Sequence, residues 1–313
     1  MMLQTQEIRI RDPYVVAWEG KYYMYSSTAY GQGCGKFDDR YLEMVVYVSG
    51  DLLHWEQPKV VFHYEPGENT PLREELWAPE VHCYRGKFYA FLSVKNSTGW
   101  RGTYIAVSDR PDGTFRLLSE EPATPVEVSD IDGTLYEEEG IPYIVYSLDW
   151  PGNFVEAENA YVGEIWARRL KEDLSGGEGE PFRLFASCDV PISRATPHRL
   201  EWEGKPAVRY GSDAPFLTRL TDGTLFLTWS PYLHDNYVVL GAVSESGTLK
   251  GPWRHLEKPL FADNGGHAMV FRDFDGTRKM CIHRPEAWGK ERMRCMEVAE
   301  QNGELTIKDI IGK

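Results

Sequence analysis

Five times along this chain an apolar run leads into an acidic residue and glycine, or a close variant, and then into an aromatic or aliphatic run. The copies begin at Asp12, Pro79, Ile131, Ala214 and Ala268, and their turn glycines are Gly20, Gly86, Gly140, Gly223 and Gly276. Glu-Gly and Asp-Gly supply the positive φ that a tight hairpin turn demands. The glycines lie 66, 54, 83 and 53 residues apart. A third strand is expected after each hairpin, at Met44–Asp51, Thr103–Asp109, Glu164–Leu170, Val238–Ser244 and Met293–Val298. Several of these run into a short outer strand bearing an aromatic, as in His54-Trp55, Thr114-Phe115 and Pro252-Trp253. A four-strand unit repeated five times at this period predicts an all-β fold: a five-bladed β-propeller with four-stranded antiparallel blades around a central channel. No segment keeps a 3.6-residue apolar period over three turns, so little helix is expected. A β-sandwich of similar hairpins is the alternative, and the fivefold recurrence favours the propeller. Residues 1–313 are read as one propeller domain, with Ser175–Glu180 as a loop inside a blade.

Aromatic residues make up 13% of the chain, with 10 Trp and 18 Tyr. They suit pleated, half-buried strands. They also suit sugar binding, because the C–H face of a furanose or pyranose is apolar and packs on a ring. Against 34 basic residues stand 48 acidic ones, a formal net charge of −14, and no basic run occurs. Nucleic acid and anionic membranes are therefore not expected partners, whereas a neutral glycoside or oligosaccharide is. The start of the chain, Met-Met-Leu-Gln-Thr-Gln-Glu, has neither a basic segment nor an apolar run, and no stretch of 18 apolar residues exists. The expectation is a cytoplasmic protein without a transmembrane helix. Cys34, Cys83, Cys188, Cys281 and Cys295 form no C-x-x-C pair and are read as free thiols in a reducing cytoplasm. The sequence carries no signal for an oligomeric state.

In a propeller the first strand of each blade lines the channel, so the starts of those strands converge on one mouth. The five starts are Arg11-Asp12-Pro13, Trp77-Ala78-Pro79-Glu80, Ser129-Asp130-Ile131-Asp132-Gly133, Gly211-Ser212-Asp213-Ala214-Pro215 and Gly265-Gly266-His267. Asp12, Asp132 and Asp213 at one mouth would form an acidic cluster, costly unless a ligand or metal uses it. Inverting glycoside hydrolysis needs such a set. One carboxylate activates water, and a carboxylic acid roughly 6.5–9.5 Å away protonates the leaving oxygen. A third carboxylate can raise the pKa of the acid by like-charge repulsion. Asp130 and Asp132 are read as facing opposite ways, with only one of them in the channel and Asp130 at a strand edge or turn.

The Arg-Asp-Pro start followed by Trp-Glu-Gly-Lys-Tyr-Tyr at 18–23 resembles glycoside hydrolase family 43. So do Trp-Ala-Pro-Glu-Val at 77–81, Ile-Asp-Gly-Thr-Leu-Tyr at 131–136 and Gly-Gly-His-Ala-Met-Val-Phe-Arg-Asp-Phe-Asp-Gly at 265–276. The resemblance implies a five-bladed propeller and an inverting hydrolase. It comes from a family that acts mostly on α-L-arabinofuranosides and β-D-xylosides, and in some members on galactans. Carried over, Asp12 matches the general base, and Asp132 matches the aspartate that orients the acid and tunes its pKa. Asp213 falls where the family usually has a general-acid Glu, and the segment here reads Ser-Asp-Ala-Pro. Asp is one methylene shorter and about 0.4 pKa unit more acidic, so Glu164 is kept as the alternative acid. His267 matches a channel histidine that in some members helps to hold calcium. The resemblance thus requires no cofactor and allows a structural calcium on the propeller axis. The other reading of His267 is a hydrogen bond to a sugar or to an aspartate.

Trp77 is expected to wall the sugar pocket, and Trp100 and Trp150 to stand in loops at its mouth. Arg284 is expected to hold a substrate hydroxyl or neutralise the acidic cluster, with Glu80 supporting the site from behind. No G-x-S-x-G elbow, P-loop or dinucleotide fingerprint appears. The expected activity is exo-acting hydrolysis of short arabinose-, xylose- or galactose-containing oligosaccharides. Asp213 in place of Glu leaves a non-hydrolytic sugar-binding propeller as an alternative. A glycoside phosphorylase ranks last, because it needs a basic mouth, where the sequence offers Arg284, His267, Arg194 and His198.

Overall fold

The computed structural model describes residues 2–28, 41–67 and 70–311, so Cys34 lies outside the described residues. Each predicted turn glycine sits at a hairpin between antiparallel strands. Blade 1 runs outward from Tyr14–Trp18 through Lys21–Ser27 and Leu42–Ser49 to His54–Trp55. Blade 2 is Leu72–Tyr84, Lys87–Asn96, Arg101–Ser108 and Arg116–Leu117. Blade 3 is Asp130–Glu138, Ile141–Leu148, Glu164–Leu170 and Gly177–Ala186. Blade 4 is Asp213–Arg219, Leu225–Ser230, Leu240–Ser244 and Trp253–His255. Blade 5 is Gly266–Arg272, Arg278–Arg284, Arg292–Gln301 and Glu304–Ile310. The inner strands contact one another in ring order, and that of blade 5 contacts that of blade 1. The core lies between the blades: one apolar cluster spans blades 1, 2 and 5 and reaches Phe216 and Phe226 of blade 4, and a second joins blades 3 and 4 around Trp229. The segment read as a loop at Ser175–Glu180 in fact joins the outer strand of blade 3 from Gly177 onward. One short α-helix, Pro191–Ala195, is present among the described residues.

A sixth sheet explains the long 83-residue interval. Phe154–Val155, Ala160–Val162, Lys205–Tyr210 and His198–Trp202 form a four-stranded side sheet, in that order, with Ala160–Val162 and Lys205–Tyr210 parallel. Its hairpin turns at Glu203-Gly204, where both residues have positive φ. This is the same turn signal as in the blades, used outside the fivefold count. Register places Asp130, Leu148, Glu164 and Ala186 at one end of blade 3. The segments that build the side sheet therefore leave blade 3 at the end where the strand starts gather.

One positive-φ residue stands in, or just before, each of the five inner strands. The residues at positive φ are Asp12 (54°), Ala78 (40°), Asp132 (57°), Ala214 (51°) and His267 (57°). In blades 2 to 5 the ladder skips that residue and the next, between Trp77 and Glu80, Ile131 and Thr134, Asp213 and Phe216, and Gly266 and Met269. These are β-bulges, which re-aim a side chain and interrupt pairing. Three are followed by Pro13, Pro79 and Pro215, which have no N–H for the ladder to lose. Blade 3 has Gly133 instead, because a Cβ there would come within 2.7 Å of Thr103. Three of these residues are clasped by the preceding blade: Asp132 N–H donates to Ser93 Oγ (2.8 Å), His267 N–H to Ser230 Oγ (2.8 Å) and Asp12 N–H to His283 Nδ1 (3.3 Å).

On a regular strand, residues two apart share a face, so alternation gives no reason for Asp130 and Asp132 to diverge. The bulge at Asp132 interrupts that regular alternation. Asp130 is the first residue of the strand Asp130–Glu138, fully buried there, and it accepts the Thr103 hydroxyl at 3.1 Å.

The N-terminal segment joins the two ends of the ring. Leu3–Gln4 pairs with His54–Trp55 of blade 1. Thr5 Oγ1 accepts the Trp55 indole N–H at 2.9 Å and donates to the Leu52 carbonyl at 2.9 Å. Farther along, Ile10 N–H donates to the Glu291 carbonyl at 3.1 Å, and Arg292 Nε donates to the Gln6 carbonyl at 2.7 Å.

Candidate active site

The bulges at Asp132 and His267, and the positive-φ turn at Asp12, bring these three residues to a cavity of about 210 Å³, which Asp213, Trp77 and Arg11 also line. Asp12 Oδ1 lies 3.0 Å from His267 Nδ1 and 3.0 Å from His283 Nδ1. His267 Nδ1 is 3.9 Å from Asp132 Oδ2, and that same oxygen accepts the Ala214 N–H at 2.9 Å. The bulge of blade 4 thus presents its backbone donor to the carboxyl of blade 3. Asp213, one residue before that bulge, accepts the Tyr237 hydroxyl at 3.2 Å.

These environments push the carboxyls apart. Burial would raise Asp12, but the charge of His267, then that of Arg11, outweighs it and holds Asp12 well below the usual carboxylate range. Burial raises Asp132 to about 7; His267 opposes the rise, while Asp213 and Asp12 add to it. Asp213 is also raised, by burial, against the opposing charges of Arg209, Arg11 and His267. Burial would lower His267, yet Asp12 and then Asp132 carry it up to about 9. Near neutral pH the pocket holds an ionised Asp12, a cationic His267 and carboxyls that resist ionisation. Carboxyls set apart in this way can take a proton at one point and give one at another.

His267 Nδ1 is engaged with Asp12 at 3.0 Å, which leaves Nε2 as the ring nitrogen open to a cation. Among the described residues, no group of three or more His, Cys, Asp or Glu side chains is placed to hold a metal ion.

Other expected residues lie elsewhere. Glu164 is committed to Arg183 Nη1 (2.8 Å) and the Trp166 indole N–H (2.8 Å) and does not line the cavity. Arg284 binds Asp263, through the carbonyl at 2.8 Å and the carboxylate at 2.5 Å, rather than the acidic cluster. Glu80 is buried with its Oε2 3.0 Å from His82 Nε2, and it reaches the site only by adding to the charge that raises His267. Trp100 is 40% exposed and packs toward Gly152, outside the cavity wall. Trp150 is packed edge-on against Trp202 at 4.7 Å. Trp77 does line the cavity, with the Arg101 guanidinium 3.4 Å over its ring.

The residue that balances the acids is Arg11, immediately before Asp12. Its Nη1 donates to both Glu286 oxygens at 2.8 and 2.7 Å, and its Nε is 3.6 Å from Asp12 Oδ2. Glu286 also accepts from His283 Nε2 at 2.6 Å and from the Tyr232 hydroxyl. Arg11 was visible in the Arg-Asp-Pro start. Glu286, Tyr237 and the 66% exposed Trp288, which lines the cavity, follow no repeat signal. Asp149, just past the second strand of blade 3, is pushed up to about 6, by burial and then by Asp213.

The family described as Glycosyl hydrolases family 43 matches residues 5–302. Among solved structures, the endo-arabinase from Bacteroides thetaiotaomicron VPI-5482 is 30% identical with a TM-score of 0.81. That match covers 96% of this chain and 98% of the other. A thermostable family-43 glycoside hydrolase is 24% identical with a TM-score of 0.76, over 96% and 92% of the two chains, a likeness that shows the fold. A β-xylosidase of Xylanibacter ruminicola is 27% identical over 148 residues, 45% of each chain. An extracellular exo-α-(1→5)-L-arabinofuranosidase of Streptomyces chartreusis is 24% identical over 202 residues, 60% of this chain and 54% of that protein. The chain spans about half the length of these curated relatives.

Proposed function

The chain belongs to glycosyl hydrolase family 43, and on that premise we propose that it is an inverting, exo-acting glycosidase of arabinose- or xylose-containing oligosaccharides. The observation that carries this reading is one pocket in which Asp12 is held ionised while Asp132 and Asp213 are held toward their protonated forms. Asp12 takes a proton from water as the water oxygen bonds to the anomeric carbon. The glycosidic bond breaks, and Asp213 gives its proton to the departing oxygen. Water exchange then returns a proton to Asp213 and removes one from Asp12. Asp132, pinned by the Ala214 N–H, is the tuning carboxyl. The names of the similar proteins, an arabinase, a xylosidase and an arabinofuranosidase, support a pentoside. A cavity of about 210 Å³ falls below the roughly 300–1,000 Å³ of pockets for larger ligands, which supports removal of one terminal sugar. We take residues 1–313 as one catalytic propeller.

The test is Asp12→Ala on a panel of nitrophenyl pentosides. The best kcat/KM should fall about 10²–10⁴-fold; survival within a few-fold removes Asp12 as the base. Time-resolved NMR should show the inverted anomer first, and retention would overturn the mechanism.

A further inference from the structure

Alternation along its strands gives the side sheet two unlike faces. Ala160 and Val162, with Val155, Val208 and Tyr210, pack on Ala186 of blade 3 and on Cys188 in the turn after it. The opposite face carries one row of register partners across all four strands: Phe154, Tyr161, Arg209 and His198. Trp202 shares that face, four residues along the strand from His198.

The rings on this face touch in series. Centroids are 5.1 Å apart for Phe154 and Tyr161, 6.4 Å for Tyr161 and Trp202, and 4.7 Å for Trp202 and Trp150. The Arg209 guanidinium lies 4.7 Å over Trp150 and 4.4 Å over Tyr232. Tyr232 is 4.8 Å from Tyr237, whose hydroxyl bonds Asp213. An unbroken line of rings and one guanidinium therefore runs from Asp213 to Phe154, which is 49% exposed. A groove of about 860 Å³ follows the same strands, with Phe154, Tyr161 and Trp202 in its walls. Its charged lining is balanced, with Arg199 and Lys205 against Glu201 and Glu203, which suits a neutral ligand. Arg209 Nε is buried and finds no acceptor among the described residues. Aromatic faces beside a few aimed polar groups are what sugar rings need.

A general acid stands on the leaving-group side of the scissile bond. The contacts that begin at Asp213 run inward through the buried Tyr237 and emerge at the side-sheet groove, so that groove lies on the side of the sugars beyond that bond. We propose that this face of the side sheet binds the leaving-group side of a pentose oligosaccharide, its rings taking successive sugars and Arg209 their hydroxyls. The direction of the bound chain rests on the glycosidase reading above; the groove itself does not.

The experiment compares Phe154→Ala and Trp202→Ala, with Trp202→Phe as the conservative rescue. The substrates are β-1,4-xylohexaose, α-1,5-arabinohexaose and the matching nitrophenyl pentosides. The ratio of kcat/KM on the hexaose to that on the aryl pentoside should fall at least about five-fold in both alanine variants. The fall should lie mainly in KM, and Trp202→Phe should recover most of it. A ratio within two-fold of wild type overturns the proposal. Calorimetric titration of the same hexaoses separates the two readings. If the wild-type chain hydrolyses nothing, the glycosidase reading fails, yet hexaose binding that weakens in Phe154→Ala still supports the groove. No hexaose binding to the wild-type chain overturns the groove, whatever the aryl pentosides show.

Discussion

At the scale of residues, two carboxyls competed for one role. Glu164 had the expected side-chain length, but Arg183 and Trp166 hold it outside the cavity, whereas Asp213 lines it. Asp213→Ala should therefore lose about 10²–10⁴-fold on unactivated glycosides, and much less on a dinitrophenyl glycoside, whose leaving group needs no proton. Glu164→Ala should leave that contrast unchanged. The pH profile carries a second expectation. His267 is cationic up to about pH 9 and favours the ionised form of Asp12. Replacing it with Gln should raise the Asp12 pKa and move the acidic limb of kcat/KM upward by about one unit or more. Asp130 gives a prediction about stability. Burial raises its pKa in the folded state, so the stability tied to its protonated form is complete below the unfolded value of about 3.9. That stability is lost as pH rises through the raised value. Asp130→Asn cannot ionise, so its melting temperature should gain on wild type as pH rises from 4 to 8.

At the scale of elements, the repeated bulge aims the residues that matter. An L-residue at positive φ costs about 1–2 kcal/mol, and β-branched side chains tolerate it least. Ala78 already bears that cost, and Ala78→Val should add a further destabilisation from its branched Cβ, seen as a lower melting temperature, while Ala78→Asn, a residue that accepts this conformation, should lower it less. Much of this was legible in the sequence. Asp12, Asp132 and Asp213 stood at strand starts, and Pro13, Pro79 and Pro215 marked where the ladder breaks. Period-2 alternation could not orient Asp130 against Asp132, because a bulge suspends that period. The side sheet was hidden for another reason. Its Glu203-Gly204 turn carries the signal used for the blades, but its partner strands come from separate segments on either side of the outer half of blade 3. Trp150 read as a free mouth aromatic for the same reason: the sheet that packs it is assembled from distant pieces.

At the scale of the whole molecule, the ring is joined by a short N-terminal strap. Thr5 bonds Trp55 and Leu52 of blade 1, while Ile10 and Gln6 bond Glu291 and Arg292 of blade 5. Thr5→Val strands the buried Trp55 indole N–H, a loss of about 1–3 kcal/mol. Because the strap closes the ring, the melt should remain a single transition at lower temperature, and a split into two transitions would mean that the blades melt independently. The fivefold positive-φ kink has a wider consequence. A backbone that repeats one kink five times separates the address of a functional group from its identity. Three addresses on the axis hold ionisable side chains, at Asp12, Asp132 and His267, and two hold only methyl groups, at Ala78 and Ala214. Of those two, Ala78 lines the cavity, so an Asn or Asp fitted there would change the chemistry of the mouth while the frame stays as it is.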